Sequence, residues 1–353
     1  MTEEERFWIA LDNLPGMNAW RFADLYTRYR TREHFLKCQN EHGVKPFDVD
    51  ALLASVNERL ARCHAHAVFC TQDAFPSRLR DIPSPPPILY YIGDLSLAEE
   101  RGIAVIGSRR HTSYGAACAR TFASAFAMHG LCVISGMADG IDGTAQRAAL
   151  ENDGKTVAVL AGGIDHIYPA GNRDLYYSIA QNGLLLSESP PGTKPIQRSF
   201  PHRNRLISGL SEALLVVEAA FPSGTMSTVE HALAQNKTVY AIPGSILSPM
   251  SEGTNRLIQD GCLCAIKPQD VLEACGIRAA APAKAPDPLD DPSLTDVQRR
   301  ILHLLEKGAR FFEDLQTGSG TSADECNMAL TMLEISGYIT KEAGRQYEIN
   351  QGR

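Results

Sequence analysis

Six short apolar runs limit the possible folds of this chain more than any other feature of its sequence. They are IAVIG (103–107), LCVIS (131–135), TVAVLA (156–161), LLLSE (184–188), ALLVVEA (213–219) and TVYAIPG (238–244). Amphipathic segments such as YGAACARTFASAFAMHG (114–130) and TVEHALAQNK (228–237) separate them. Strands that do not alternate between polar and apolar residues need cover on both faces of their sheet. The pattern therefore predicts an extended Rossmann-like α/β domain with a doubly wound parallel sheet.

Composition divides the 353-residue chain into pieces. The segment AAAPAKAPDPLDD (279–291) is rich in Ala, Pro and Asp without periodicity, which is typical of a linker. The prolines of SPPPILYYIGD (84–94) favour an extended lead-in to the larger domain. From these breaks we predict the following division: a helical N-terminal domain over 1–75, the α/β domain over 76–275, a linker over 276–292 and a winged-helix domain over 293–353.

The two outer domains are predicted from the order of their elements. FWIALDNL and AWRFADLYTRYR have helical spacing around an LPGM turn, an arrangement that resembles helix-hairpin-helix or sterile-alpha-motif bundles. After the linker come three helical segments and then YITKEAGRQYEIN, two strands around Gly344, which is the order of a winged helix. The third helix, 322–337, carries Asp324, Glu325 and Glu334 and no Lys or Arg. A helix that reads DNA normally carries Lys or Arg for its contacts with phosphates and base edges. We therefore expect this domain to bind a protein or to have a regulatory role.

Net charge and cysteine use narrow the class of protein. The formal charge is -7, so any site for an anion has to be local. The nine cysteines form no CxxC pair, and an odd number argues against a disulfide framework. The start MTEEERFW has acids where a secretory signal has bases, and no apolar run approaches the roughly 20 residues of a membrane span. We expect a cytoplasmic protein without metal or cofactor.

Most of the predicted strands end in glycine or small polar residues. In an open α/β sheet the carboxyl ends of the strands line the ligand crevice, and helix amino ends there attract anions. These corners therefore predict an extended phosphate-binding rim. The loop GSRRHTSY after the first run contains arginines where a dinucleotide loop has glycines, and the chain has neither GxGxxG nor GxxxxGK[ST]. The rim residues are Gly107, Ser108, Arg109, Arg110, Ser135, Gly136, Gly162, Gly163, Ser223, Gly224 and Thr225.

A cluster of bases precedes the fifth run. Between Ser189 and Ser211 the chain has Lys194, Arg198, Arg203 and Arg205 and no Asp or Glu. Most runs of bases are solvated surface, but here Phe200 and Pro201 form a corner beside them. An aromatic ring next to basic side chains suits single-stranded nucleic acid, because the side chains neutralise phosphates and each nucleobase that stacks on a ring contributes about 1–3 kcal/mol. Asn204 adds a donor and an acceptor that can fix the loop or contact a base edge.

An enzyme is the first alternative. SGTMSTVE (223–230) resembles the GGxGTxxE element of nucleotide phosphoribohydrolases of the lysine-decarboxylase-like group, where glycines hold a phosphate and the glutamate assists cleavage of the glycosidic bond. Glu230 falls at the comparable position, but Ser223 replaces the first glycine and no second carboxylate pairs with Glu230 by its spacing. A scaffold that binds only protein is the second alternative.

Several blocks, in order, closely resemble the DNA-processing protein A family (DprA, also called Smf). They span the whole α/β segment, and the two outer domains fit the family's helical N-terminal and winged-helix domains. The blocks are VIGSRRHTSYG (105–115), VISGMADGIDGTAQRAAL (133–150), VAVLAGGIDHIYPAGNRDLY (157–176), LLSESPPGTKP (185–195), FPHRNRLISGLSEALLVVEA (200–219), SGTMSTVEHALAQNKTVYAIPGS (223–245) and EGTNRLIQDGC (252–262).

The resemblance implies a protein that is not an enzyme. Members of this family bind single-stranded DNA that enters during natural transformation, protect it, and help to load the recombinase RecA onto it. They form homodimers through the α/β domain. By motif match, Gly107, Ser108 and Arg109 would form the DNA pocket, and Phe200, Arg203, Asn204 and Arg205 would extend it into a groove.

The chain departs from the family pattern at three positions. Asp139 stands where a basic residue is usual, and Gln146 stands where a histidine is usual. Gln197 replaces a lysine that is common just before the Phe-Pro corner, with Lys194 and Arg198 on either side. Because an acid weakens contact with phosphate, we leave Asp139 out of the predicted site.

Overall fold

The computed structural model describes residues 1–277, 294–308, 310–342 and 346–349. It divides into two compact units, residues 1–278 and 279–353. Most of the predicted linker, from residue 278 to residue 292, and the predicted turn at Gly344 lie outside the described residues. The predicted division of the chain into domains stays a prediction.

One mixed sheet organises the described part of the first unit. Its strand order is β1-β2-β6-β5-β4-β3-β7-β8-β9, and β3 to β9 are parallel to one another. The six predicted strands are all present as β3 to β8. Two antiparallel strands, β1 and β2, extend the sheet beside β6. The strands are β1 His66–Phe69, β2 Ile88–Gly93, β3 Gly102–Ile106, β4 Cys132–Ser135, β5 Thr156–Leu160, β6 Leu184–Ser187, β7 Ala213–Val216, β8 Thr238–Ala241 and β9 Leu263–Cys264.

Helices cover both faces of this sheet, which explains why its strands do not alternate. Ile103 and Val105 of β3 pack with Phe122 of α5 on one face, and Ala104 and Ile106 pack with Leu206 of α8 on the other. The predicted doubly wound α/β fold is therefore confirmed. The helices between the strands are α5 Ser113–Met128, α6 Ile141–Glu151, α7 Arg173–Asn182, α8 Ser199–Leu210, α9 Thr225–Ala234, α10 Glu252–Gln259 and α11 Pro268–Ala274.

The N-terminal helices share a core with the antiparallel edge of the sheet. Trp8 and Phe35 are fully buried in the same cluster as Tyr90 of β2. The predicted boundary at residue 75 falls after β1, although β1 pairs with β2. A four-residue strand is too short to show a period in the sequence. The helices here are α1 Glu3–Asp12, α2 Ala19–Tyr29, α3 Arg32–Cys38 and α4 Val49–Arg62.

The second unit has the element order of a winged helix, as predicted. Its elements are α12 Asp296–Glu306, α13 Phe312–Ser319, α14 Ala323–Ile335, β10 Ile339–Glu342 and β11 Gln346–Ile349. Capping boxes at Thr295 and Ser322 fix the amino ends of α12 and α14. Ile301, Leu315 and Leu333 are completely buried in its core.

No described helix combines the length and the apolar character that crossing a bilayer requires. The described residues also contain no cluster of three or more His, Cys, Asp and Glu side chains arranged to hold a metal ion. All nine cysteines are free thiols.

Candidate functional site

A groove of about 700 Å³ lies along the carboxyl ends of the parallel strands. Its position follows from the strand order, because the chain reverses direction across the sheet between β3 and β7, where ligand crevices of open α/β sheets form. The loop after β3, the loop after β7 and helix α8 supply its walls. They bring together most of the predicted residues: Gly107, Ser108, Arg109, Phe200, Arg203, Asn204, Ser223, Gly224 and Thr225.

The buried acid Glu218 holds the loop after β3 in place. The backbone N–H of Thr112 donates to Glu218 Oε2 at 2.9 Å, and the Thr112 hydroxyl donates to Oε1 at 2.6 Å. Ser108 N–H donates to the Glu218 carbonyl at 2.7 Å. These bonds hold the segment that carries Arg109. Sequence reasoning missed this role, although an acid at the end of an apolar run was a visible signal.

Backbone amides at the predicted phosphate rim already have partners within the protein. Gly136 N–H donates to Asp142 Oδ2 at 3.1 Å, and Gly163 N–H donates to the Thr193 carbonyl at 2.8 Å. Thr225 N–H donates to the Ser223 hydroxyl at 3.2 Å. The corners lie where the sequence predicted them, but these amides serve the fold. At these three positions an anion would therefore depend on side-chain charge and not on a free amide.

Arg203 forms the floor of the groove and is only 7 % exposed. Its Nη1 donates to the carbonyls of Gly136, at 3.0 Å, and Val159, and its Nε donates to Asn204 Oδ1 at 3.2 Å. Within the described part of the chain, Nη2 has no hydrogen-bond acceptor. The guanidinium lies against Gly136, where a Cβ atom would come within 2.5 Å of Nη2, so only glycine leaves room for it.

The charge of Arg203 persists at neutral pH. Burial lowers the pKa of Arg203 to about 10, the carboxylate of Asp142 opposes this shift, and the charge of Arg109 adds to it. Burial also raises the pKa of Asp142, against the effect of Arg203. A buried cation with one unused donor is thus held at the base of the groove, beside a second cation.

Aromatic rings form one wall of the groove. The guanidinium of Arg109 lies over the Phe200 ring at 4.8 Å from its centroid. Tyr168, which is 44 % exposed, packs against Phe200 at 5.7 Å between ring centroids. Tyr168 could not be singled out from the sequence, because its segment shows no cluster of basic residues and no repeating pattern. The wall thus combines a cation with a half-buried ring, Phe200, and an exposed ring, Tyr168.

Helix α8 corrects the predicted loop around the Phe-Pro corner. Ser199–Leu210 is helical, and Pro201 is tolerated because it lies in the first turn, where a backbone N–H has no intrahelical acceptor and its absence costs no hydrogen bond. Asn204 fixes this helix, since its Nδ2 donates to the Ser227 hydroxyl of α9 at 2.8 Å. Because α8 is helical, residues two positions apart point in different directions.

Arg205 consequently does not reach the groove, which corrects its place in the predicted site. It is 3 % exposed, and its guanidinium donates to both carboxylate oxygens of Glu188, at 2.9 and 2.6 Å. Its Nε donates to the Ser84 carbonyl at 3.0 Å. Burial alone would raise the pKa of Glu188, but the charge of Arg205 and the neighbouring His202, whose Nε2 lies 3.1 Å from Glu188 Oε2, hold that pKa at about 2. The segment without acids in the sequence is therefore paired with an acid just outside it.

The remaining predicted residues do not line the groove; they lie in the core, along an adjoining cleft or elsewhere on the surface. Ser135 is completely buried, and its hydroxyl donates to the Val105 carbonyl at 2.6 Å, which links β4 to β3. Gly136 and Gly162 line a small cleft of about 20 Å³ that adjoins the groove. Gly163, Arg110, Lys194 and Arg198 lie outside the lining of groove and cleft; Gly163 is buried, whereas the three bases are exposed.

Two residues that depart from the family pattern, Asp139 and Gln146, and the alternative catalytic acid Glu230 occupy three different environments. Asp139 is exposed and lines the small cleft, so an acid does belong to the site. Gln146 is buried between α6 and β5, where its Nε2 donates to the Thr156 hydroxyl and the Val157 carbonyl, both at 3.1 Å. Glu230 is exposed on α9 and does not line the groove.

Comparison with known proteins identifies the family. The family model of DNA recombination-mediator protein A matches residues 66–276, and that of the DprA winged helix domain matches residues 281–345. The chain therefore belongs to the DprA family of DNA-processing proteins. A curated relative, Protein Smf of Synechocystis sp., is 32 % identical over 308 residues, which cover 78 % of this chain and 77 % of the relative.

Two solved structures share the fold at more than 30 % identity. The X-ray structure of DNA processing protein A from Streptococcus pneumoniae has a TM-score of 0.64 and 31 % identity, and covers 77 % of this chain and 98 % of that chain. DNA processing protein A from Helicobacter pylori, a protein with a unique single-stranded DNA binding mode, has a TM-score of 0.54 and 33 % identity. That match covers 60 % of this chain and 95 % of the other.

Proposed function

We propose that the groove at the carboxyl ends of the strands binds single-stranded DNA. The observation that carries the proposal is the arrangement of Arg109, Phe200 and Arg203: an exposed guanidinium lies 4.8 Å over an aromatic ring, and a buried guanidinium forms the floor below. The Helicobacter pylori relative, described by its single-stranded DNA binding mode, has the same fold.

In this proposal each part of the groove meets a different part of the strand. Arg109 and the unused Nη2 of Arg203 neutralise phosphates, and a base stacks on Phe200 or Tyr168. Stacking on a ring requires a base that is free of its own duplex, so the groove prefers single strands. Phosphate contacts carry no sequence information, and every base has a π face, so binding has little sequence preference.

The test is the retardation of labelled single-stranded and double-stranded oligonucleotides of equal length by the full chain. We expect the single strand to bind more tightly, and Arg109→Ala to weaken its binding without changing the circular dichroism spectrum. Equal affinity for both forms, or no retardation of either, would rule out the proposal. Release of free base from nucleoside monophosphates, abolished by Glu230→Gln, would instead support the enzyme alternative.

We further infer that the protein acts in the cytoplasm during natural transformation, where it protects incoming DNA and helps to load RecA. This inference follows the family resemblance. The matching test is the rate of RecA filament formation on single strands precoated with a single-strand binding protein. We expect the chain to accelerate filament formation and Phe200→Ala to abolish the acceleration. An unchanged rate with the wild-type chain would remove this part of the proposal.

The proposed assembly is a homodimer formed through the α/β domain. Large apolar side chains are exposed on β9 and in the segments that follow β8 and β9. Ile246 is 92 % exposed, Leu247 88 %, Ile266 73 % and Leu263 50 %. Such a concentration of exposed apolar side chains favours a protein interface. We expect mass photometry to detect a dimer that Ile246→Ser combined with Leu247→Ser dissociates. A wild-type monomer at micromolar concentration would contradict this assembly.

A further inference from the structure

Helix α14 of the second unit has three large apolar side chains on its solvent side. Met328 is 69 % exposed, Met332 48 % and Ile335 75 %. Their spacing of four and three residues places them on one face of the helix, which we call the methionine face. Single exposed apolar residues are common, but three neighbours on two turns form a continuous patch.

The methionine face is additional to the core of the unit. The opposite side of α14 already supplies Cys326, Leu330 and Leu333 to that core, and all three are buried. Helix α12 has an ordinary solvent face, since its exposed positions are Asp296, Arg300, His303 and Glu306. The core of the described part of this unit is thus complete without the methionine face. Because exposing a continuous apolar patch to water is unfavourable, the face indicates a binding partner.

Charge around the methionine face indicates the chemistry of that partner. Asp324, Glu325 and Glu334 are exposed on α14, and no base lies between residues 322 and 337. Nucleic acid and anionic membranes are repelled by such a surface. Asp324 and Glu325 precede Met328 by four and three residues, so they lie on the same side of the helix as the methionine face. The acids therefore favour a positively charged protein segment.

We propose that the methionine face binds an amphipathic basic helix of another protein. The apolar side of that helix packs on Met328, Met332 and Ile335, and its Lys or Arg residues pair with Asp324 and Glu325. Methionine suits this role because its unbranched, polarizable side chain adapts to partners of different shape. The site lies in a different unit from the DNA groove, so it does not depend on the proposed function.

The test uses an amphipathic Leu/Lys peptide about four helical turns long, labelled for fluorescence anisotropy, and the full chain. We expect the wild type to bind it, and Met328→Ser combined with Met332→Ser to weaken binding at least about tenfold through lost apolar contact. Met328→Leu with Met332→Leu should retain binding. Met128→Ser is the matched control, because Met128 is 66 % exposed on α5 of the first unit.

Charge is tested in the same assay. Asp324→Asn with Glu325→Gln should weaken binding several-fold at low salt, since Gln also suits the capping-box position that Glu325 occupies. A peptide with Glu in place of Lys should not bind. The proposal is overturned if the double serine variant binds like the wild type, or if the acidic peptide binds equally well. It is also overturned if the serine variant dissociates a dimer of the chain, because the occupant of the face would then be a second copy.

Discussion

The two sides of helix α8 differ in what happens to their arginines. On the groove side, Arg203 is held by carbonyls and keeps one donor without an acceptor among the described residues. On the inner side, Arg205 gives its guanidinium to Glu188 in a bidentate ion pair. The residues are two positions apart and both are buried, yet only Arg203 has charge left for a ligand.

This difference shows what decides whether a basic residue can bind phosphate. Both guanidiniums are desolvated, so both need compensation. Glu188 compensates Arg205 through a bidentate ion pair, whereas the hydrogen bonds of Arg203 go to neutral carbonyls and its counter-charge, Asp142, is only nearby. The inner side therefore contributes to folding, and the groove side contributes to binding.

The largest expected effect is on the inner side. Glu188→Gln removes the charge that Arg205 faces, and we expect it to lower the free energy of unfolding at pH 7 by about 3–5 kcal/mol. Urea denaturation measures this. The pKa of Glu188 is about 2 in the folded chain, against 4.5 in a free side chain. Its stabilising contribution is thus complete above about pH 4.5 and is lost as the pH falls towards 2, so wild type and variant should converge in that range.

The same variant tests whether Arg205 serves DNA. The affinity of the folded Glu188→Gln chain for an oligonucleotide should equal that of the wild type. An increase in affinity would mean that releasing Arg205 adds a phosphate contact, which contradicts this division of roles between the two sides. Glu33→Gln, which breaks an exposed pair with Lys37 at 2.8 Å, is the control and should change stability little.

The next effect is on the aromatic wall. Phe200→Ala should weaken binding of a single strand by roughly ten- to a hundred-fold, because stacking is worth about 1–3 kcal/mol per base. Anisotropy titration measures the affinity. Tyr177→Ala is the matched control, since Arg173 lies over the Tyr177 ring at 5.6 Å on α7, outside the groove lining. Equal losses in both variants would show that the wall has no special role.

A smaller effect is expected where the chain departs from its family. Asp139→Lys replaces the acid at the cleft by a base, and it should raise affinity several-fold. If the introduced lysine gains one phosphate contact, the slope of log affinity against log salt should steepen by about 0.7. Glu151→Lys makes the same change of net charge on the exposed end of α6, outside the groove. If both variants gain equally, the effect is one of net charge and not of this position.

The sequence predicted the parts of the molecule that depend on local pattern. The six central strands could be found because they are apolar on both faces, and the corners at their ends follow from chain direction. The antiparallel strand β2 was interpreted only as an extended lead-in, because its partner β6 is distant in the sequence. Tyr168, Asp142 and Glu218 were missed for a related reason: each acquires its role from a neighbour that only the fold supplies.

Arg205 shows the same limit most clearly. A count of basic residues between Ser189 and Ser211 treats Lys194, Arg198, Arg203 and Arg205 as equal, and it begins one residue after Glu188, so it leaves out the acid that pairs with Arg205. Whether a base is paired, buried or exposed depends on contacts between elements, such as α8 against the end of β6. Charge counts can therefore locate an anion site, but they cannot say which side chains form it.

The most direct test of the groove is the salt dependence of single-strand binding by Arg109→Ala and its neighbour Arg110→Ala. Both residues are exposed and lie in one loop, but only Arg109 lines the groove. We expect Arg109→Ala to reduce the slope of log affinity against log salt by about 0.7, the loss of one phosphate contact, and Arg110→Ala to leave it unchanged. Equal slopes for the two variants, or a greater loss with Arg110→Ala, would contradict the proposed groove.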